Sequence, residues 1–218
     1  MKKNLLLLAL LGGTVTAAHA QTAIPAGTVS LGGSVGYYRH TINSQLGNLS
    51  SEYVNSQFQI APSVGYFVAD NLAVGVSLGY SANKSTYTTT FGNSLPDFDP
   101  NTTFRGGAYV QYYKMLTDQF GLVGTFGGGY QYNRNTTVYG PVGNISSAET
   151  KQKGYYANLT PGIIYFPISK LGISATVGSL AYSRLKQTPT SGEPVTTDFS
   201  AGFGLSQLQL GGTYYFGR

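Results

Sequence analysis

The sequence predicts an all-β fold: an eight-stranded antiparallel up-and-down transmembrane β-barrel. Three observations predict it. Apolar residues alternate with small or polar ones over long runs, as where Leu72, Val74, Val76, Leu78 and Tyr80 alternate with Ala73, Gly75, Ser77, Gly79 and Ser81. The second parity is Gly, Ser, Thr, Ala, Gln, Asn and Tyr with hardly a charge, a poor outer surface in water. Tight-turn compositions, Ala69-Asp70-Asn71, Thr117-Asp118-Gln119 and Ser169-Lys170, recur at near-equal intervals between the alternating runs.

Composition agrees. Charged residues make up 10% of the chain, against about 25% in ordinary soluble domains. There are 30 Gly, 18 Tyr and 11 Phe, with no Trp and no Cys, so disulfide and thiolate chemistry play no part. Residues 1–20 read as a cleaved signal peptide: basic Lys2 and Lys3, an apolar run Leu5 to Leu11, then Ala18-His19-Ala20 as cleavage site. That run is too short to span a bilayer as a helix. The remaining 21–218 form one domain. Removing Lys2 and Lys3 takes 13 basic residues to 11 against 8 acids, a net +3. That is too small and too scattered a charge for nucleic-acid binding.

Each strand is justified in turn. Strand one covers about 28–39, with Val29, Leu31, Val35 and Tyr37 on one face. Residues 40–52 are polar and turn-rich and read as a loop. Strands two and three form the hairpin PSVGYFVADNLAVGVSLGY, Pro62 to Tyr80. Residues 88–101 read as a second loop. Strand four, about 102–115, shows Phe104, Ala108, Val110 and Tyr112 on one face. Strand five shows Phe120, Leu122, Phe126, Tyr130 and Tyr132. After a loop at 135–150, strand six shows Tyr155, Ala157, Leu159, Pro161, Ile163 and Tyr165. Strand seven shows Leu171, Ile173, Ala175 and Val177, and a loop at 185–198 follows. In strand eight, Phe203 and Leu205 sit on the opposite parity to Leu208 and Leu210, which predicts a bulge near Ser206-Gln207. An aromatic pair precedes each tight turn: Tyr66-Phe67, Tyr112-Tyr113 and Tyr165-Phe166. Tyr214, Tyr215 and Phe216 close the chain the same way.

The apolar parity is predicted to face lipid and the small parity a narrow lumen, since eight strands leave room only for side chains. Tyr155 to Tyr165 and Phe120 to Tyr130 are each ten residues apart on the apolar parity. On tilted strands this spans about 25 Å, the height of an outer-membrane barrel's apolar band.

On the strength of PSVGYFVADNLAVGVSLGY, PGIIYFPISKLGISATVG and the closing LQLGGTYYF, the chain resembles the small outer-membrane β-barrels of Gram-negative bacteria, of the OmpA-transmembrane and OmpX kind. The resemblance covers essentially all of 21–218. It implies residence in the outer membrane and handling by the barrel assembly machinery, which in that family reads a terminal aromatic. Here Phe216 is followed by Gly217 and Arg218.

No catalytic, cofactor or metal site is predicted. Two G-x-S-x-G matches, around Ser34 and Ser77, lie mid-strand, without the strand–turn–helix context a nucleophile elbow needs. His40 is the one imidazole after residue 20, with no Ser–acid pair beside it in sequence, and reads as a solvated loop residue. Asp97-Phe98-Asp99-Pro100-Asn101 begins like a calcium loop but has Thr102 where Gly is required; a polar turn is the simpler reading. Asn48-Leu49-Ser50 is a chance glycosylation match. Arg105 falls on the lumen parity and reads as a hydrogen-bonded plug. Arg39, Lys84, Arg134, Lys151, Lys153, Arg184 and Lys186 gather at the outer strand ends, either solvated or facing lipopolysaccharide phosphates. The expected role is structural or surface-interactive, through four extracellular loops, as a monomer with an extracellular partner the sequence does not identify. The alternative is a narrow channel for small or hydrophobic solutes; a lipid-modifying enzyme is the least supported class.

Overall fold

The computed structural model describes residues 23–47, 49–89, 100–139, 146–188, 194–204 and 208–218. Residues 1–20, read from the sequence as a signal peptide, the Asp97–Asp99 segment and the Ser206-Gln207 position where a bulge is expected lie outside the described residues.

The described elements are β1 (Val29–Leu46), β2 (Leu49–Ala69), β3 (Leu72–Thr89), β4 (Asn101–Met115), β5 (Phe120–Tyr139), β6 (Ser146–Ile168), β7 (Leu171–Val177), β8 (Ser179–Thr188), β9 (Val195–Gly202) and β10 (Leu208–Phe216). Every pairing is antiparallel, from β1–β2 through to β5–β6. β6 then pairs with β7 along its later half and β8 along its middle. β10 joins β7 to β1, with Val29 opposite Phe216 and Val35 opposite Leu210, and closes the ring. β7 and β8 share one position in the ring, as do β9 and β10, so ten elements fill eight positions. Closure satisfies the backbone where hydrocarbon cannot.

Two breaks account for the split positions. Gly178 has φ +103°, a conformation costly for any residue with a Cβ, and it ends β7 one residue before β8 begins. The sequence reading carried strand seven past this point to a loop at 185–198; the described strand breaks at Gly178 and continues as β8. On the last position, β9 ends at Gly202 and β10 begins at Leu208. Above Val35, β1 pairs with β2 on one side and with no described strand on the other.

The loop at 40–52 is a correction. β1 runs to Leu46 and β2 starts at Leu49, with Thr41 opposite Val54 and Gln45 opposite Ser50. Gly47, at φ +59°, makes the tip. This ribbon has water on both faces, so its strands need no apolar parity and leave no periodic signal. The same holds for 135–150, where β5 reaches Tyr139 and β6 resumes at Ser146. It holds again for 185–198, where β8 reaches Thr188 and β9 starts at Val195.

Burial settles which face is inside. Val76 is 62% exposed, and Leu31, Leu78, Phe126 and Leu210 are also exposed, all on the apolar parity. Ser30, Gly65, Ala73 and Gln131, on the other, are buried. The barrel is apolar outside and small and polar inside, the inverse of a soluble barrel.

Candidate functional site

The lumen is closed at the turn end. Each aromatic pair before a turn divides between the two faces. Tyr66, Tyr112, Tyr165 and Tyr214 point outward and form a belt. Their neighbours Phe67, Tyr113, Phe166 and Tyr215 point inward and are at most 2% exposed. These four rings pack together: Phe67 and Tyr113 centroids lie 5.4 Å apart, Phe166 and Tyr215 5.2 Å, Phe67 and Tyr215 6.1 Å. The Tyr113 and Tyr215 hydroxyls meet at 3.1 Å, which satisfies two polar atoms inside the plug. Met115, Val123 and Ile164 fill the gaps.

A second layer covers the plug from below. Ile24 is fully buried and is pinned to the β2–β3 turn: its N–H donates to Asn71 Oδ1 at 2.9 Å, and Asn71 N–H donates back to its carbonyl at 2.9 Å. Asn71 takes φ +63° in that turn, which an Asn tolerates. The Arg218 guanidinium lies 3.5 Å over the Phe166 ring and donates to the Asp118 carbonyl. The sequence reading saw the aromatic pairs as a repeat before each turn but did not divide them into belt and plug. Parity was the signal it missed, since two adjacent residues on a strand cannot both face lipid.

Above the plug the lumen is filled by polar side chains. Tyr109 reaches from β4 across Gly75 of β3 and Gly65 of β2 to hydrogen-bond Ser63 and Ser30. Tyr113 donates to Gln111 Oε1 at 2.6 Å, and Gln111 Nε2 to Thr125 at 2.9 Å. Arg105 is a lumen residue, as expected. Its Nε donates to Gln131 Oε1 at 2.9 Å and its guanidinium lies 5.3 Å from the Tyr156 ring centroid. Gln131 in turn donates to Asn133. Beside Arg105 a cavity of about 90 Å³ is lined by Tyr156, Asn158, Ser183, Asp198 and Ser200 among others.

The remaining candidates disperse. Ser34 and Ser77 are half-buried on the lumen face, Ser77 opposite Ser63 and Gly107 in the ladder. His40 lies within β1 rather than in a loop, opposite Asn55, with its ring stacked on Tyr38 at 6.4 Å. Asn101, the end of the calcium-like motif, accepts from the Thr136 N–H at 2.7 Å and ties β4 to β5. Among the described residues no cluster of His, Asp or Glu is placed to hold a metal. The basic residues lie toward the loop end, and Glu149 pairs with two of them: Arg134 Nε donates to it at 2.6 Å, and Lys151 Nζ lies at 3.0 Å. The hydrogen bonds from Lys151 and Arg134 hold its carboxyl below the ordinary 4.5.

A closed antiparallel barrel with an apolar exterior, aromatic belts and a packed lumen defines an outer-membrane barrel protein. The chain belongs to the family described as "Outer membrane protein beta-barrel domain", whose pattern it matches over residues 5–206, and it resides in the outer membrane. Comparison with curated proteins found no match. Among solved structures it is similar to the N-terminal β-barrel domain of Pseudomonas aeruginosa OprF, at 14% identity and TM-score 0.41, over 88% of this chain and 98% of that one. OprG of the same organism is similar at 14% identity and TM-score 0.41, over 88% and 97%. Yersinia pestis Ail, solved with the heparin analogue sucrose octasulfate, is similar at 15% identity and TM-score 0.37, over 88% and 99%.

Proposed function

We propose that this barrel is a non-conducting, non-enzymatic wall and surface-interaction protein, which presents its long hairpins outside the cell and passes no solute. The base plug supports this reading most. Phe67, Tyr113, Phe166 and Tyr215 fill the lumen cross-section, and Ile24 covers them. Solute passage would require unstacking four rings that pack on one another, two of them joined by the Tyr113–Tyr215 hydroxyl contact, a cost of several kcal/mol. The loop end carries the paired extensions β1–β2 and β5–β6, the natural contact surface for an extracellular partner. In bacterial barrels short turns face the periplasm and long connections the exterior, which puts the plug on the periplasmic side. A monomer fits the closed ring.

The test is single-channel recording of the purified protein in planar bilayers. Silence is expected from the intact chain. Reproducible conductance steps would overturn the reading and favour the narrow channel.

A further inference from the structure

Two opposite charges line one cavity in the loop-end half of the lumen without pairing. Arg105 comes from β4 and Asp198 from β9, half the ring apart, so they stand on opposite walls. The ladder shows what gives Arg105 its room. One row toward the plug, Gly107 pairs with Gly129, Gly129 with Tyr156, Tyr156 with Ser183 and Ser183 with Asp198. The two glycines leave β4 and β5 without side chains in that row. The Arg105 guanidinium uses the space and lies 5.3 Å from the Tyr156 ring centroid.

The cavity has a volume of about 90 Å³, with Arg105, Tyr156, Asn158, Ser183, Asp198 and Ser200 in its walls. The chain satisfies its polar groups only in part. Arg105 Nε donates to Gln131, but neither Nη atom makes a hydrogen bond or ion pair among the described residues. The Ser183 and Ser200 hydroxyls and the Asp198 carboxylate likewise have no side-chain hydrogen bond among the described residues. Solvent reaches this level of the lumen: Arg105, Asp198 and Ser200 are exposed although they stand on the inward parity. Phe67 and Tyr215, in the plug below, are fully buried. The loop-end half of the lumen is thus a solvent-accessible cup above a closed base, with a cation on one wall and an anion on the other.

We propose that this cup binds a small carboxylate that carries a hydrogen-bond donor, as a hydroxycarboxylate such as lactate does. The free edge of the Arg105 guanidinium offers two parallel N–H groups, the geometry that a carboxylate accepts in two bonds. Asp198, on the opposite wall, accepts from the ligand's hydroxyl, and the Ser183 and Ser200 hydroxyls complete the contact. Asp198 also selects against phosphate, because a dianion there gains one cation and meets one anion. A halide leaves half of the fork and the Asp198 acceptor unused. The volume is far below that of a drug-sized pocket and limits the ligand to a few carbon atoms. The site goes beyond the wall and surface-interaction reading and needs no passage through the plug.

The test uses the full barrel, isotope-labelled and folded in phosphatidylcholine nanodiscs, titrated with lactate and followed by NMR through the Gln131 and Asn158 side-chain amides. Saturable shifts are expected. Propionate, which lacks the hydroxyl, should bind roughly tenfold more weakly, the effect of one lost hydrogen bond to a charged group. Arg105→Gln should weaken lactate by roughly tenfold or more. Arg105→Lys keeps the charge but not the fork and should recover only part of the binding. Asp198→Ala, at an exposed position, should fold as the intact protein does and lose the preference for lactate over propionate. Lys114→Gln, at the turn end, should bind as the intact protein does. Absence of a saturable shift overturns the proposal, as does equal lactate affinity in Arg105→Gln. So does propionate, chloride or phosphate bound as tightly as lactate, or a lactate preference that survives in Asp198→Ala. Channel recording is a separate readout, so a leaky barrel that still binds lactate would defeat only the non-conducting reading.

Discussion

The Tyr109 hydroxyl occupies the place where a side chain on Gly65 would begin: a Cβ built there would stand 2.6 Å from it and 2.7 Å from Ser30 Oγ. The glycine and the tyrosine are one device. Gly65 and Gly75 open a channel across the inner wall, and Tyr109 fills it. Gly65→Ala is expected to cost about 1–3 kcal/mol by overpacking in a folding titration into bilayers. Tyr109→Phe removes the colliding oxygen, so the double variant should recover part of that loss. Strict additivity of the two substitutions would contradict the contact.

The base plug carries both stability and closure. Phe67→Ala removes a fully buried ring and should cost about 3–5 kcal/mol in the same titration. Combined with Tyr215→Ala it should also produce conductance events in planar bilayers that the intact protein lacks. A double variant that folds and stays silent would show that something else closes the lumen.

The Glu149 cluster gives a pH dependence with a fixed sign. Hydrogen bonds from Lys151 and then Arg134 lower its folded pKa below the ordinary 4.5, and Glu149 raises that of Lys151. A carboxyl with a depressed folded pKa adds stability that is present above the unfolded value and is lost as pH falls through the folded one. Hydrogen exchange at the β5–β6 hairpin tip should therefore quicken as pH is lowered through the carboxylate range, after correction for intrinsic rates, and Glu149→Gln should abolish that response. A response that persists in Glu149→Gln would assign it to another group. The groups are exposed and screened by salt, so global stability should hardly change.

Topology follows from the same two ends. An epitope inserted after Gly47, at the β1–β2 tip, should be stained by antibody on intact cells. One inserted after Asn71, in the turn that Ile24 covers, should be stained only after permeabilisation. The opposite pattern would invert the barrel.

The fold was legible where each strand has two unlike surroundings. Val74, Val76 and Leu78 meet lipid while Ala73, Gly75 and Ser77 meet the lumen, and that contrast is written as period-2 alternation. It fades wherever the surroundings become alike. Thr41, Asn43 and Gln45 have water on either side, so a paired strand there reads as loop. The Gly178 break and the Tyr109 channel were hidden for another reason. Both depend on which residues meet across strands, and register is not visible in one strand at a time. The plug was present in the sequence as Tyr66-Phe67 and its repeats, but only a parity assignment for each member separates belt from plug. The basic cluster was visible as composition; its rows, and the position of Glu149 on the water side, came from the ladder.

Everything above rests on the apolar parity facing lipid, and Val76 tests that most directly. Val76 is exposed at mid-strand, while Ser77 faces the lumen opposite Ser63 and Gly107. In a folding titration into bilayers, Val76→Arg is expected to cost about 2–4 kcal/mol, as a cation near the bilayer midplane does. Val76→Leu should cost almost nothing, since lipid gives way to an added methylene. Ser77→Leu should destabilise by crowding the filled lumen. A destabilising Val76→Leu together with a tolerated Ser77→Leu would mean that the apolar face is packed inside.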